Sequence, residues 1–499
     1  MSTIRKLAGE TVVYGLSSIL PRILHYVVFT IYLSWKFTEE SDYGIYRDLY
    51  AYVSIFLVFM VFRMDTAFFR FATRSGDKNK SFSSAIFPVI ITSILVVVLM
   101  VSFDDQIAKY LKYPDKAYYV RWFAFILGFD ALAALPFAKM RLDNRPVRFL
   151  SFKLLNSLIT IALVLFFLEL LPSINSSGST FLSSLESYNK LDFVFLSNLV
   201  ASALIFSLLL PDILRTKLNF DFGLIKKMLK YSLPLVVVAI AGGINTTFTA
   251  ALQKYFLIGD LTERLDTVGM YAVPASLAIL LNLFNTAFLY AAEPFFFKQH
   301  KESRSTNLFG DIALVYVIIA LLAVLIISFN VDRILLLMGA NYRSITEIVP
   351  ILLFAYVFLG IYYNFSIWYK LSDKTEIGAL ISLFGALITI TISAFCLPKY
   401  GYIASAWAAL LCFSSMAILA YLTGKKYYPI NYPIYRIVKQ LLIAFGLIVI
   451  SNYFSERLSI AGFQMDLINV GLIAVYIFIS YQMEKEVLSG IISKKQISS

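Results

Sequence analysis

The residues best able to do chemistry in this chain are charges and amides set inside long apolar runs. Arg22 follows Pro21 within the run 11–35. Counted from the end of that run expected to face the cytoplasm, its α-carbon lies roughly 16 Å into a hydrocarbon layer about 30 Å thick. A cation at that depth costs at least about 2.5–3.5 kcal/mol, so it must face protein or a wet cavity and meet an anion there. The anion can be internal or a substrate. Asp130, in the run 117–138, lies roughly 18 Å from the outer end of its helix, a similar depth, and is the candidate internal partner. As the acid expected deepest in a helix, Asp130 is also the leading candidate for proton or sodium coupling. His25 shares a helix face with Arg22 and titrates near neutral pH, which fits either ion coupling or hydrogen-bonded packing.

Three more arginines, Arg63, Arg70 and Arg74, recur at spacings of seven and four, which puts them on one side of a continuous helix. Lys298 stands at the position equivalent to Arg70 in a second copy of the pattern. Such a basic cluster either gathers anions at the cytoplasmic mouth or serves as ordinary positive-inside anchoring. Asn245, Gln253, Asn282 and Asn285 put amides into two later helices, where they bind sugar hydroxyls or join helices at about 0.6 kcal/mol each. Pro21 and Pro234 each remove a backbone hydrogen bond early in a helix and are hinge candidates. Cys396 and Cys412 have no metal-ligand spacing and read as small packing residues. No catalytic group, metal site or cofactor is expected beyond the coupling ion.

The elements that must position these residues are membrane helices. With 59% hydrophobic and 15% charged residues and a mean hydropathy of +0.77, the chain reads as an all-α polytopic membrane protein. Fourteen apolar runs are expected: 11–35, 43–64, 81–103, 117–138, 148–171, 191–211, 231–257, 267–297, 309–330, 346–371, 376–397, 401–423, 433–454 and 464–483. Segments alternately assigned to the inside carry more than twice the Lys and Arg of those outside, which places both termini in the cytoplasm. The net charge of +12 is then mostly this positive-inside bias plus attraction to anionic lipid heads, and no nucleic acid is implied. The loops are short, so no soluble catalytic domain is expected.

An internal repeat is visible. Asp42-Tyr-Gly-Ile-Tyr46 leads into the second run and Thr267-Val-Gly-Met-Tyr271 into the eighth, while Tyr14…Pro21 and Tyr231…Pro234 open the first and seventh. Six helices separate equivalent points, so the halves have the same orientation, related by an axis along the membrane normal. The expected organisation is an N-terminal lobe over 1–215, a C-terminal lobe over 216–427, and a terminal helix pair with a cytoplasmic tail over 428–499.

The segments YGLSSILPRIL, SDYGIY and RMDTAFFRFATR resemble the start of the Wzx-type polysaccharide and O-antigen flippases. DTVGMYAVPASLAILLNLFNTAFLYAAEPFFFKQ and LLLMGANYRSITEIVPILLFAYVFLGIYYNFSIWYKLSDKT in the second half resemble later helices of the same family. The family lies in the multidrug/oligosaccharidyl-lipid/polysaccharide (MOP) exporter superfamily, and the likeness runs over nearly the whole chain. It implies a MATE-like fold of two six-helix lobes plus a terminal pair in the bacterial inner membrane. It also implies transport of a polyprenyl-diphosphate-linked oligosaccharide to the outer leaflet by alternating access, without enzymatic chemistry, for O-antigen or capsule assembly. A polysaccharide polymerase and a chain-length regulator are candidate partners. A diphosphate suits the forked donors of arginine, which gives Arg22 a substrate role and makes Arg63, Arg70 and Lys298 a loading funnel. An ion-coupled drug or metabolite antiporter of the same fold is the alternative, and a membrane polysaccharide polymerase a further one. Drug exporters of the superfamily are expected to carry an acid in the first helix, and the candidate Asp130 in the fourth helix departs from that pattern, which leaves the coupling ion open.

Overall fold

The computed structural model describes residues 20–21, 23–24, 29–75, 77–143, 145–175, 189–216, 220–299, 305–372, 374–458 and 462–497. The described residues are helical and contain no strand, as lipid requires of a chain that must satisfy every backbone group within itself. Among them twelve helices are long and apolar enough to cross a membrane, or thirteen if Phe222–Thr246 and Thr249–Phe256, bent by 63° at their junction, form one span. The first expected run lies largely outside the described residues, with Thr30–Lys36 as its described end. Arg22 and His25 are also outside them.

Contacts divide the chain into two units. The first covers 1–255 and 259–269, the second 256–258 and 270–499. This grouping by packing is a different partition from the repeat halves 1–215 and 216–427.

The first unit is built on α1 (Glu40–Val61), α2 (Met64–Ser75), α3 (Lys78–Ser102), α4 (Ala117–Leu142), α5 (Pro146–Leu165), α6 (Lys190–Leu214), α7 (Phe222–Thr246) and α8 (Thr249–Phe256), with the first turns of α9 (Leu261–Gln299). Side chains cap the helix starts where the sequence supplies acceptors. Asp77 accepts from Lys80 N at 2.9 Å, Asp221 from Leu224 N at 3.0 Å, and Asn189 with Asp192 forms a capping box at α6. The core of the unit joins Met60, Met64, Phe68, Phe82, Ile86, Leu127 and Leu135. Outside that core Ile94, Val98, Leu204 and Leu208 are exposed, as faces turned to lipid should be.

The second run forms α1 as far as Val61, and the helix breaks at its end. Phe62 and Arg63 both take left-handed φ values, 49° and 54°, a conformation costly for side chains of this size. The break persists because neighbours satisfy it: Thr92 Oγ1 donates to Met60 O at 3.2 Å, and Arg63 O accepts from Thr66 and Ala67 N.

The second unit contains the rest of α9, then α10 (Ser305–Phe329), α11 (Ile348–Phe365), α12 (Thr375–Tyr400), α13 (Ile403–Tyr427), α14 (Ile434–Glu456) and α15 (Phe463–Ile497). Polar contacts tie the last two helices into it. Arg436 pairs with the buried Glu484, Ser480 donates to Gln440 Oε1 at 2.9 Å, and Tyr476 OH donates to Ile318 O at 3.2 Å.

Candidate functional site

The break between α1 and α2 makes Arg63 unusual. Its Nε is buried and has no hydrogen-bond partner among the described residues, although the side chain as a whole is half-buried. The nearest acid in sequence, Asp65, is engaged by Arg141 at 3.9 Å. Because the helix does not continue through Arg63, the expected single row of three arginines is corrected: only Arg70 and Arg74 share the helical register of α2. Arg70 lies over the ring of Tyr231 at 4.1 Å, a cation–π contact that leaves its guanidinium edge free to donate. Arg74 is exposed. The backbone of Lys298 is helical within α9, and its side chain lies outside the described residues.

Asp130 is half-buried in α4. The Ser202 hydroxyl hydrogen-bonds it, and Lys153 is a favourable charge nearby. Ser202 also reaches Asn198 Oδ1 at 3.4 Å, and Asn198 donates to the Tyr50 hydroxyl. The result is a polar chain linking α1, α4 and α6, with Lys153 of α5 beside it. Since Arg22 and His25 lie outside the described residues, no geometry bears on an Arg22–Asp130 pair.

Asp130 is not the most buried acid among the described residues: Asp48 is less exposed. Asp48 of α1 and Lys254 of α8 have fully buried side chains, paired at 2.5 Å through Asp48 Oδ2. Tyr113 OH donates to the same oxygen at 2.8 Å, and Lys254 also donates to Leu111 O at 3.2 Å. Its ammonium lies 4.9–5.0 Å from the rings of Tyr52, Tyr113 and Tyr255. Desolvation pushes the Tyr113 hydroxyl well above its usual value, and the Asp48 charge adds to the shift, so Tyr113 remains a donor. Asp48 Oδ1 has no partner among the described residues.

Asp48 sits eight residues into α1, close enough to a helix end to read as solvated, and nothing in the local sequence marks Lys254. The signal available was their joint occurrence near the same expected membrane surface.

An apolar cavity of about 690 Å³, lined by Leu49, Tyr52, Phe56, Leu99, Phe103 and Leu111 among others, adjoins this pair. Its size is that of a small-molecule pocket, yet its walls are almost wholly apolar, so it suits hydrocarbon rather than a charged or sugar-bearing group.

The amides divide between settings. Asn245 and Gln253 are buried in α7 and α8. In the second unit Asn282 is half-buried, whereas Asn285 is fully buried. Asn285 donates to Tyr356 O at 2.7 Å and accepts from Tyr316 OH at 2.7 Å, so its amide is used to join α9, α10 and α11. Pro21 is helical and buried, while Pro234 is exposed inside α7. The pronounced bend of the α7–α8 span falls at Thr246–Thr249, twelve residues beyond Pro234. There Thr247 bonds to Gly243 O at 2.9 Å and to Ser54 of α1 at 2.9 Å.

No family model matches the sequence, and no curated protein does either. Solved structures do match. The lipid II flippase MurJ, in an inward closed conformation, is similar with a TM-score of 0.70 and 16% identity, over 94% of this chain and 99% of that one. A multidrug resistance MATE family transporter of the MOP superfamily, outward-facing, is similar with a TM-score of 0.59 and 13% identity, over 84% of this chain and 94% of that one. The Vibrio cholerae MATE transporter VcmN gives 0.58 and 13%, over 85% and 98%. At these identities the likeness establishes architecture, and the chain has the fold shared by the MurJ flippase and the MATE transporters.

Proposed function

We propose that the chain is a flippase of the bacterial inner membrane that carries a polyprenyl-diphosphate-linked oligosaccharide from the cytoplasmic to the outer leaflet by alternating access. The observation that carries this reading is Arg63, a half-buried arginine at a strained helix break with a buried, unpartnered Nε. Strain of this kind concentrates at functional positions. A buried guanidinium N–H without a partner calls for an acceptor, and a diphosphate supplies one in forked geometry. The near-complete mutual coverage with a lipid II flippase supports a lipid-linked substrate. Arg22 supplies a second contact deeper in the membrane, Arg70 and Lys298 gather head groups at the cytoplasmic end, and Asn245 and Asn282 meet sugar hydroxyls. Pro21 and Pro234 act as hinges. No covalent bond is made.

The test is flipping of a fluorescent lipid-linked oligosaccharide in proteoliposomes. Arg63→Asn is the informative variant, because Asn enters the left-handed region with little penalty and so keeps the break. Losing charge-assisted hydrogen bonds worth about 1.5–3 kcal/mol should lower flipping roughly 10- to 150-fold, with Arg63→Lys retaining part of it. Unchanged flipping at normal abundance would remove Arg63 from the substrate site. The MATE likeness keeps a drug or metabolite antiporter as a second reading, and efflux of cationic dyes by the same proteoliposomes, without lipid flipping, would select it.

Coupling is assigned to Asp130, with His25 as a second candidate. Asp130→Asn keeps the hydrogen bond to Ser202 and removes the charge. Flipping should then continue at a lower rate that no longer responds to a proton or sodium gradient. A gradient response equal to that of the wild type would exclude Asp130 as the coupling residue.

A further inference from the structure

Tyr113 and the Asp48–Lys254 pair mark one end of α4. At the other end, a cavity of about 190 Å³ opens among the ends of α3, α4, α5 and α6. Four basic residues line it, Lys139, Arg145, Arg148 and Arg215, with two acids, Asp143 and Asp212. Both acids are already neutralised. Asp212 pairs with Arg148 at 2.8 Å, and Asp143 with Lys78 at 2.9 Å. Lys139 donates to Thr216 Oγ1 at 3.0 Å, which positions its ammonium without balancing its charge. Arg145 and Arg215 are exposed and form no ion pair with any described residue. Three cations therefore share one concavity with no carboxylate left to pair with them. That is the donor set a phosphate monoanion or dianion requires.

Size and surroundings define the ligand further. A pocket that encloses a whole small molecule is typically about 300–1,000 Å³, so this one holds a head group whose remainder lies outside. Its rims are apolar. Val147, next to Arg148, and Leu214, next to Arg215, are 67% and 72% exposed. From Arg215 an exposed row of Leu208 and Leu204 runs up α6 at helical spacing, and from Arg148 the exposed Leu155 and Leu158 run up α5. A phosphate seated among the cations would have hydrocarbon-compatible surface leading away from it along two helices. The Lys and Arg bias of the loops puts this end on the cytoplasmic side, where a leaflet with anionic lipids meets basic pockets between helices.

We propose that Lys139, Arg145 and Arg215 form a binding site for the phosphate head group of an anionic membrane phospholipid, distinct from the transported substrate. The site carries an annular lipid at the inner surface of the first unit.

The experiment is native mass spectrometry of the full-length protein in detergent, titrated with phosphatidylglycerol, with phosphatidylcholine, or with inorganic phosphate alone. The wild type should retain phosphatidylglycerol in preference to phosphatidylcholine. Arg145→Gln with Arg215→Gln should reduce that preference roughly 30-fold, the effect of two charges at a membrane surface. Lys425→Gln with Lys426→Gln, which removes the same charge from the exposed end of α13, should leave it unchanged. Displacement of the lipid by millimolar phosphate, with phosphate itself retained only by the wild type, would support the same phosphate chemistry with a free ion as its source. Equal retention of both lipids by the wild type, or equal losses in the two double variants, would overturn the site. If the double variant is not monodisperse, Arg215→Gln alone gives the same comparison at roughly 5-fold.

Discussion

Replacing Lys254 by Met should remove most of the folded protein, whereas the double replacement Lys254→Met with Asp48→Leu should restore much of it. The two side chains are fully buried and meet at 2.5 Å. Removing one partner of such a pair costs about 3–5 kcal/mol because a buried charge is stranded, while replacing both with apolar groups is often neutral. The two single variants should also differ. Lys254→Met leaves Asp48 with the Tyr113 hydroxyl and an unpartnered Oδ1. Asp48→Leu leaves the ammonium with the Leu111 carbonyl and three aromatic rings, and desolvated cation–π contacts are worth about 2 kcal/mol. Asp48→Leu should therefore be the milder. Fluorescence-detected size exclusion after a heating series reads both effects, and the double variant completes the cycle. Because α1 and α8 are tied through this pair, a double variant that folds but no longer flips would show that the pair positions the α7–α8 bend. A Lys254→Met protein as heat-resistant as the wild type would show that the pair contributes nothing.

The helices themselves are legible in the chain, because lipid forces each apolar run of about 20 residues to satisfy its own backbone. What escapes is decided by tertiary neighbours. Nothing in Phe62-Arg63 marks a left-handed break: the hydroxyl of Thr92, thirty residues on, meets the carbonyl freed there. The bend in the α7–α8 span falls near Gly242-Gly243 and Thr247, small residues common in any membrane helix, and it is fixed by Ser54 of α1. Asp48 illustrates a third cause. A charge eight residues from a helix start reads as wet unless its partner is known, and that partner lies 206 positions later. Asn285 shows the reverse, a membrane amide that suggested a ligand and is instead used by Tyr316 and Tyr356.

The repeat motif was visible as a pattern without a reason, and the geometry supplies one. Its two glycines, Gly44 and Gly269, lie where α1 and the start of α9 cross. A Cβ on Gly44 would lie 2.0 Å from Leu265 O, and one on Gly269 would lie 2.0 Å from Glu40 O and 3.2 Å from Gly44 N. Each glycine thus admits the backbone of the other helix, the close approach that small residues permit between membrane helices. The obstacle is a carbonyl oxygen in both cases, so no rotamer change can relieve it. Adding a methyl at either position must move backbone by more than an ångström. Overpacking by a single carbon typically costs about 1–3 kcal/mol, and a clash with main chain belongs at the upper end. Gly44→Ala and Gly269→Ala should each lower heat resistance and flipping markedly, and Gly44→Leu should abolish both. Gly242→Ala and Gly446→Ala, helical positions with nothing within 4 Å of the new carbon, should be neutral or stabilising by about 0.5–1 kcal/mol. The contrast separates crossing from propensity, since all four changes raise helix propensity equally. Wild-type heat resistance and flipping in Gly44→Ala would mean that the helices are free to separate at this crossing, and the repeated glycine would then need another explanation.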